Sequence, residues 1–193
     1  MKLNERHVHT TVISITVALL LYYLFYRGRA LFDLGTWNRI FAFGAVFLLG
    51  LSFLLGPLNY FWPRLFAVEL HHRKALGLWG FFFVSAHILI SFFIARDEML
   101  RHPWSMSFAI VAFLIFIIMA ITSTAYWVQR LGYARWKSVQ RTGYLAFFLV
   151  LLHVGILEIG EITEHPLIPI AFVFMILVLL ARIIIFLSRM ARH

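Results

Sequence analysis

The 193-residue chain contains no cysteine. That absence excludes disulfides, iron–sulfur clusters, thiolate-ligated haem, covalently attached c-type haem and a thiol nucleophile. A metal held by this chain is therefore held through histidine, of which there are nine. Charge is also scarce: 13% of residues are charged and 63% hydrophobic, against about 25% and about 45–50% in soluble globular domains. Acidic residues are rarer still, 8 against 17 Lys and Arg. The basic residues stand at the ends of apolar stretches instead of forming a run, so their excess reads as membrane topology and no nucleic-acid partner is expected. No phosphate-binding loop, nucleophile triad or metalloprotease motif occurs in the sequence.

What is present is apolar sequence in lengths that suit a bilayer. A transmembrane helix needs about 20 mostly apolar residues, and six stretches qualify: Val8 to Tyr26, Ile40 to Gly56, Leu76 to Ala95, Met106 to Val128, Thr142 to Ile159 and Leu167 to Leu187. The expected fold class is all-α, a polytopic membrane protein forming a six-helix transmembrane bundle and one domain over residues 1–193. The first stretch lacks a small-residue cleavage site and begins a series of similar stretches, as a retained helix does and a signal peptide does not. The spans and short connectors use nearly all residues, so any nucleotide- or flavin-binding domain is expected on a partner. The pairs His102-Pro103 and His165-Pro166 precede the fourth and sixth spans, where proline suits a first helical turn. Trp37, Trp62, Trp104 and Trp136 fall near span ends, the positions of an aromatic belt.

Six spans place both termini on one side. That side carries Lys2, Arg6, Arg64, Arg73, Lys74, Arg130, Arg135, Lys137, Arg141, Arg182, Arg189 and Arg192, and the other carries Arg27, Arg29, Arg39, Arg96 and Arg101. The split is 12 to 5, and the positive-inside rule then puts both termini in the cytoplasm. The membrane expected is the cytoplasmic (inner) membrane of a bacterium or archaeon.

Only two of the nine histidines, His87 and His153, lie well inside a span. Ionisable residues at that depth are costly and usually serve a site. The third and fifth spans run in the same direction. His87 lies 11 residues beyond Leu76 and His153 lies 13 beyond Gln140, roughly 16 and 20 Å along an axis rising about 1.5 Å per residue. Two neutral imidazoles at nearly one level, with no other ligand type nearby, suit the axial positions of a low-spin haem, whose filled axial sites favour electron transfer over oxygen binding. The same pattern also arises when each histidine simply hydrogen-bonds a neighbouring helix.

Two blocks around these histidines carry a resemblance. HRKALGLWGFFFVSAH runs from His72 to His87, with a basic pair, Leu-Gly-Leu-Trp and then histidine. TSTAYWVQRLGYARWKSVQRTGYLAFFLVLLH runs from Thr122 to His153, with Thr-Ser-Thr, Leu-Gly, Arg-Trp, Tyr-Leu and histidine landmarks. Together with Leu34-Gly35 they resemble the ferric reductase-like transmembrane domain family, and most closely its branch of haem-bearing membrane subunits from bacterial periplasmic methionine sulfoxide reductase systems. The resemblance implies a six-helix bundle in which the residues matching His87 and His153 ligate haem b. The family commonly has a further histidine about 13 residues before the one matching His153, used for a second haem nearer the cytoplasm; here that position is Gln140. Glutamine is a poor haem ligand. One haem is therefore expected, two only if an inner haem recruits His72 or His71.

Other polar residues have plainer readings beside functional ones. Arg73, Lys74, Arg135 and Arg141 line the inner ends of the two histidine-bearing spans, where they suit haem propionates or an acidic partner, and topology accounts for them as well. Arg182 sits inside the sixth span but within snorkelling reach of its inner end. His102, His165, Asp97, Glu158, Glu161 and Glu164 could form an outer metal or substrate site, with helix capping and loop solvation the expected roles. Trp79 and most of the 21 phenylalanines read as packing or lipid-facing residues.

The expected function is an electron-transfer subunit of an oxidoreductase system, a haem b cytochrome. It takes electrons from a cytoplasmic flavin reductase or from quinol and delivers them to a redox protein or metal on the outer face. Flavin or quinone enters only through a partner. The alternatives are a terminal ferric or metal reductase at the outer face and a haem-free membrane scaffold subunit.

Overall fold

A computed structural model describes residues 3–28, 33–67, 69–158 and 165–191. Among them the chain is all-helical: α1 (Leu3–Leu21), continued by a π-helical turn (Tyr22–Tyr26), α2 (Leu34–Phe61), α3 (Pro63–Phe66), a 3-10 turn (Glu69–His72), α4 (Arg73–Ile94), α5 (Arg96–Arg101), α6 (Pro103–Ile121), α7 (Ala125–Leu131), α8 (Tyr133–Arg141), α9 (Gly143–Glu158) and α10 (Leu167–Met190). Six helical segments among these residues are long and apolar enough to cross a bilayer: His7–Tyr26, Leu34–Phe61, Glu69–Ile94, Pro103–Ile121, Tyr133–Glu158 and Leu167–Met190. Many of their large apolar side chains face outward, among them Leu89, Phe93, Val111, Leu177 and Phe186. The chain is a multi-pass membrane protein.

The six spans match the sequence expectation in number, and their boundaries differ where polar side chains act on the backbone. The second span begins at Leu34 instead of Ile40 because Asp33 caps it, its carboxylate accepting from the Gly35 and Thr36 amides at 3.1 and 3.0 Å. It also continues through Pro57 to Phe61. The fourth span stops at Ile121 instead of Val128. There the Thr122 hydroxyl donates to the Ile118 carbonyl at 2.7 Å and the Ser123 hydroxyl to that of Met119 at 2.7 Å, which satisfies carbonyls of the last turn. The connector from Gln129 to Arg141 is itself helical, broken at Gly132, whose φ of +74° suits glycine.

The chain divides into two compact units, Met1–Glu98 and Met99–His193. In the first, α2 and α4 pack closely and antiparallel. Small residues permit the approach: a Cβ added at Gly44 would lie 2.5 Å from the Phe83 ring, one at Gly80 2.7 Å from Leu49 Cγ, and one at Gly77 3.2 Å from Ser52 Oγ. Bilayer lipid is as apolar as leucine, so tight packing and interhelical hydrogen bonds, and not hydrophobicity, hold such helices together. Ser52 Oγ donates across the pair to the Arg73 carbonyl at 2.8 Å, and Val8 and Val12 of α1 join Ala45, Leu48, Leu55, Leu76 and Phe83 in the core.

In the second unit α6 and α9 form an antiparallel pair. The indole of Trp136 donates to the Thr122 carbonyl at 2.9 Å, which ties α8 to the C-terminal end of α6. Helix α10 buries Ile168, Ala171, Met175, Val178 and Ile185, and its Arg182 guanidinium lies over the Tyr144 ring of α9, 5.2 Å from the centroid.

Candidate functional site

Each unit carries one of the two histidines on the later helix of its antiparallel pair, facing the first turns of the earlier one. On α4, the residues turned toward α2 are Gly77, Gly80, Phe83, His87 and Ser91, spaced by three or four as one helix face requires. The small residues draw the backbones together, which brings His87 Nδ1 to 3.2 Å from the main-chain oxygen of Asn38, the fifth residue of α2. The Asn38 side chain is fixed in turn, its Oδ1 accepting from Ser91 Oγ at 3.1 Å.

On α9, His153 meets Ser105, the third residue of α6. Its Nδ1 lies 2.8 Å from Ser105 Oγ and 3.1 Å from the Ser105 main-chain oxygen, and Ser105 Oγ donates to the His153 carbonyl at 3.1 Å. Ser105 is fully buried.

The chemistry at both rings is the same. A main-chain oxygen can only accept, so Nδ1 carries the proton and donates it. In the neutral imidazole the lone pair then resides on Nε2, the nitrogen that metal-ligating histidines commonly use while Nδ1–H is held by a carbonyl. Each ring thus fits, in its chemistry, an imidazole ligand to iron through Nε2. The partner carbonyls stand 49 and 48 residues before their histidines, the same device built once in each unit.

Neither Asn38 nor Ser105 stands out in the sequence. Both fall in what reads as connector, and the only available signal was a polar residue close to the start of a span.

Gln140 is occupied structurally. Its amide Nε2 donates to the Met119 carbonyl at 3.2 Å and to Thr122 Oγ1 at 3.0 Å, closing the C-terminal end of α6. His72 is buried, its Nε2 at ion-pair distance, 3.4 Å, from Glu69 Oε2, and its ring edge-on to that of His7 with centroids 6.0 Å apart. His71 is exposed. Arg73 opens α4 and Arg141 closes α8; Arg73 is half-buried, while Arg141, Lys74 and Arg135 are exposed. Of the outer cluster, Glu161 and Glu164 lie outside the described residues. His165 is buried, Glu158 and His102 are half-buried and Asp97 is exposed. Among the described residues, no three His, Asp or Glu side chains assemble into a metal-binding group. Trp79 packs as expected, edge-on to Phe82 at 5.8 Å and to His9 at 6.0 Å.

Comparison with known proteins bears on the family of the chain. A family model described as ferric reductase like transmembrane component matches residues 41–152, a stretch that contains His87 and Gln140 and ends one residue before His153. A protein of Rhodospirillum rubrum named protein-methionine-sulfoxide reductase heme-binding subunit MsrQ is 32% identical over 171 residues, covering 79% of this chain and 78% of the relative. Proteins of the same name from Agrobacterium fabrum and Herminiimonas arsenicoxydans are 29% identical over 165 residues (80% and 74% covered) and 33% identical over 96 residues (46% and 44% covered). With more than half its length matched by the family model and a relative this similar over most of both chains, the chain belongs to the ferric reductase like transmembrane component family.

Proposed function

We propose that this chain is the haem b subunit of a membrane oxidoreductase system, with His87 and His153 as the axial ligands and electron transfer across the membrane as its activity. Its main support is the chemistry of the two rings: each presents Nδ1 to a main-chain oxygen, at 3.2 Å from Asn38 and 3.1 Å from Ser105, which leaves Nε2 as the ligating nitrogen. When bound, the haem would supply a one-electron couple, its iron held by His87 and His153. The protein's own residues supply the rest. His87 and His153 donate the lone pairs, Asn38 and Ser105 hold the tautomer and ring orientation, and the apolar spans exclude water. Arg73 and Arg141, at the cytoplasmic ends of the histidine-bearing spans, pair with propionates or dock an acidic partner.

One haem per chain is the proposed complement, because Gln140, at the place of a second ligand, is committed to the end of α6. The whole of residues 1–193 serves as one ferric reductase-like domain in the cytoplasmic membrane of a bacterium, with both termini in the cytoplasm, as the 12-to-5 basic split favours. The donor is a cytoplasmic flavin reductase or quinol. The acceptor at the outer face, by likeness to relatives named as subunits of protein-methionine-sulfoxide reductase, is a partner that reduces methionine sulfoxide in proteins. Absorbance of the purified chain after dithionite reduction tests the proposal. Split low-spin haem b bands at one haem per chain, lost in both His87→Ala and His153→Ala, are expected; a colourless protein, or bands indifferent to both substitutions, would sink it.

A further inference from the structure

The Nδ1 proton of His153 is met by a side chain as well as by a main-chain oxygen. His87 Nδ1 sits 3.2 Å from the Asn38 carbonyl. His153 Nδ1 has a nearer acceptor, Ser105 Oγ at 2.8 Å, as well as the Ser105 carbonyl at 3.1 Å. The hydroxyl proton is itself committed, because Ser105 Oγ donates to the His153 carbonyl at 3.1 Å. A closed ring results: Nδ1–H to Oγ, Oγ–H to the carbonyl of the same histidine. Donating its proton makes Oγ a better acceptor, so each bond strengthens the other, and the effect is larger in a buried, low-dielectric site. Ser105 is 0% exposed. The neighbouring Ser107, by contrast, bonds only within its own helix, to the Pro103 carbonyl at 2.9 Å, and is exposed to the surroundings.

We propose that Ser105 is the positioning residue of His153: its hydroxyl locks the imidazole in the Nδ1–H form, fixes the ring plane and sets the donor strength of Nε2, thereby lowering the reduction potential of the iron the ring ligates. A histidine whose Nδ1–H is well accepted is a more basic ligand, and a more basic axial ligand favours ferric over ferrous iron. Removing the hydroxyl leaves only the more distant backbone acceptor. The proposal rests on the haem reading for its redox consequence and on the Ser105–His153 geometry for its cause.

Spectroelectrochemical titration of the purified full chain, wild type against Ser105→Ala, Ser105→Thr and Ser107→Ala, tests it. The expected result is a higher midpoint potential in Ser105→Ala, a return toward the wild-type value in Ser105→Thr, and no change in Ser107→Ala. Loss of haem from Ser105→Ala but not from Ser105→Thr supports the same role; equal potentials in wild type and Ser105→Ala, or loss of haem from both Ser105 variants, overturn it. The proton NMR signal of His153 Nδ1–H in ¹⁵N-histidine-labelled protein separates the two readings. If the wild type carries no haem, the proposed function fails. Ser105 is then judged by whether that signal moves upfield and exchanges faster in Ser105→Ala, an unchanged signal overturning the positioning role.

Discussion

Replacing Gly80 by alanine probes the helix pairing that delivers His87 to its carbonyl. A Cβ at Gly80 would fall 2.7 Å from Leu49 Cγ and 3.0 Å from the Leu49 backbone nitrogen, where carbon contacts are comfortable at about 3.5–4.0 Å. The Leu49 side chain is 5% exposed and the backbone atom cannot rotate away, so α2 and α4 must part locally by a little under about 1 Å. Overpacking of this kind costs about 1–3 kcal/mol, while alanine in place of glycine gains about 1 kcal/mol of helix propensity. Gly155 provides the matched control: there an added Cβ meets the Phe172 ring at 3.5 Å, an ordinary contact. Gly155→Ala should therefore keep the propensity gain, and the two variants should differ by about 1–3 kcal/mol, the overpacking term alone. Denaturation of both in mixed micelles, followed by far-ultraviolet circular dichroism, measures the difference. Equal stabilities within about 0.5 kcal/mol would falsify the close-approach account of the pair. Because His87 lies two turns beyond Gly80 on the same face of α4, Gly80→Ala should also lengthen the bond from His87 to Asn38, visible as weaker haem retention during purification.

Gln140→Ala should destabilise the second unit by about 1 kcal/mol, the net worth of the bonds lost, because the Met119 carbonyl keeps Ser123 and the Thr122 hydroxyl keeps Ile118, with haem per chain unchanged; a fall in haem content without a fall in stability would instead make Gln140 a cofactor contact. The absence of native cysteine makes topology directly readable, since Lys2→Cys should react with an impermeant maleimide only after the cells are opened, and Asp97→Cys in intact spheroplasts. The reverse pattern would invert the charge-based orientation.

How far the sequence reveals this protein depends on the range of the interactions concerned. Six spans follow from runs of apolar residues whose lengths match a bilayer, and a helix in lipid must satisfy its backbone bonds locally, so existence and number are local properties. Boundaries were less legible. Asp33 caps α2, which starts six residues before the apolar run, and α6 ends inside what reads as one long apolar stretch, its last carbonyls met by the hydroxyls of Thr122 and Ser123. Those are bonds between side chain and backbone that hydropathy does not weigh.

His87 and His153 could be singled out from the sequence because an ionisable residue deep in a span is conspicuous by itself, and Gln140 because it departs from the pattern of the family it resembles. What the sequence by itself determined was the membrane class, the number of spans, the two deep histidines and the exclusion of thiolate chemistry. The tertiary structure alone decided that Asn38 and Ser105 meet those histidines through Nδ1, that Ser105 closes a hydrogen-bonded ring with His153, and that Gln140 caps α6. Each of those contacts joins residues 18 to 49 positions apart, and whether a polar side chain near one span's start faces a histidine near another's end depends on helix rotation and register. Those in turn depend on how closely small residues such as Gly44 and Gly80 let two backbones approach.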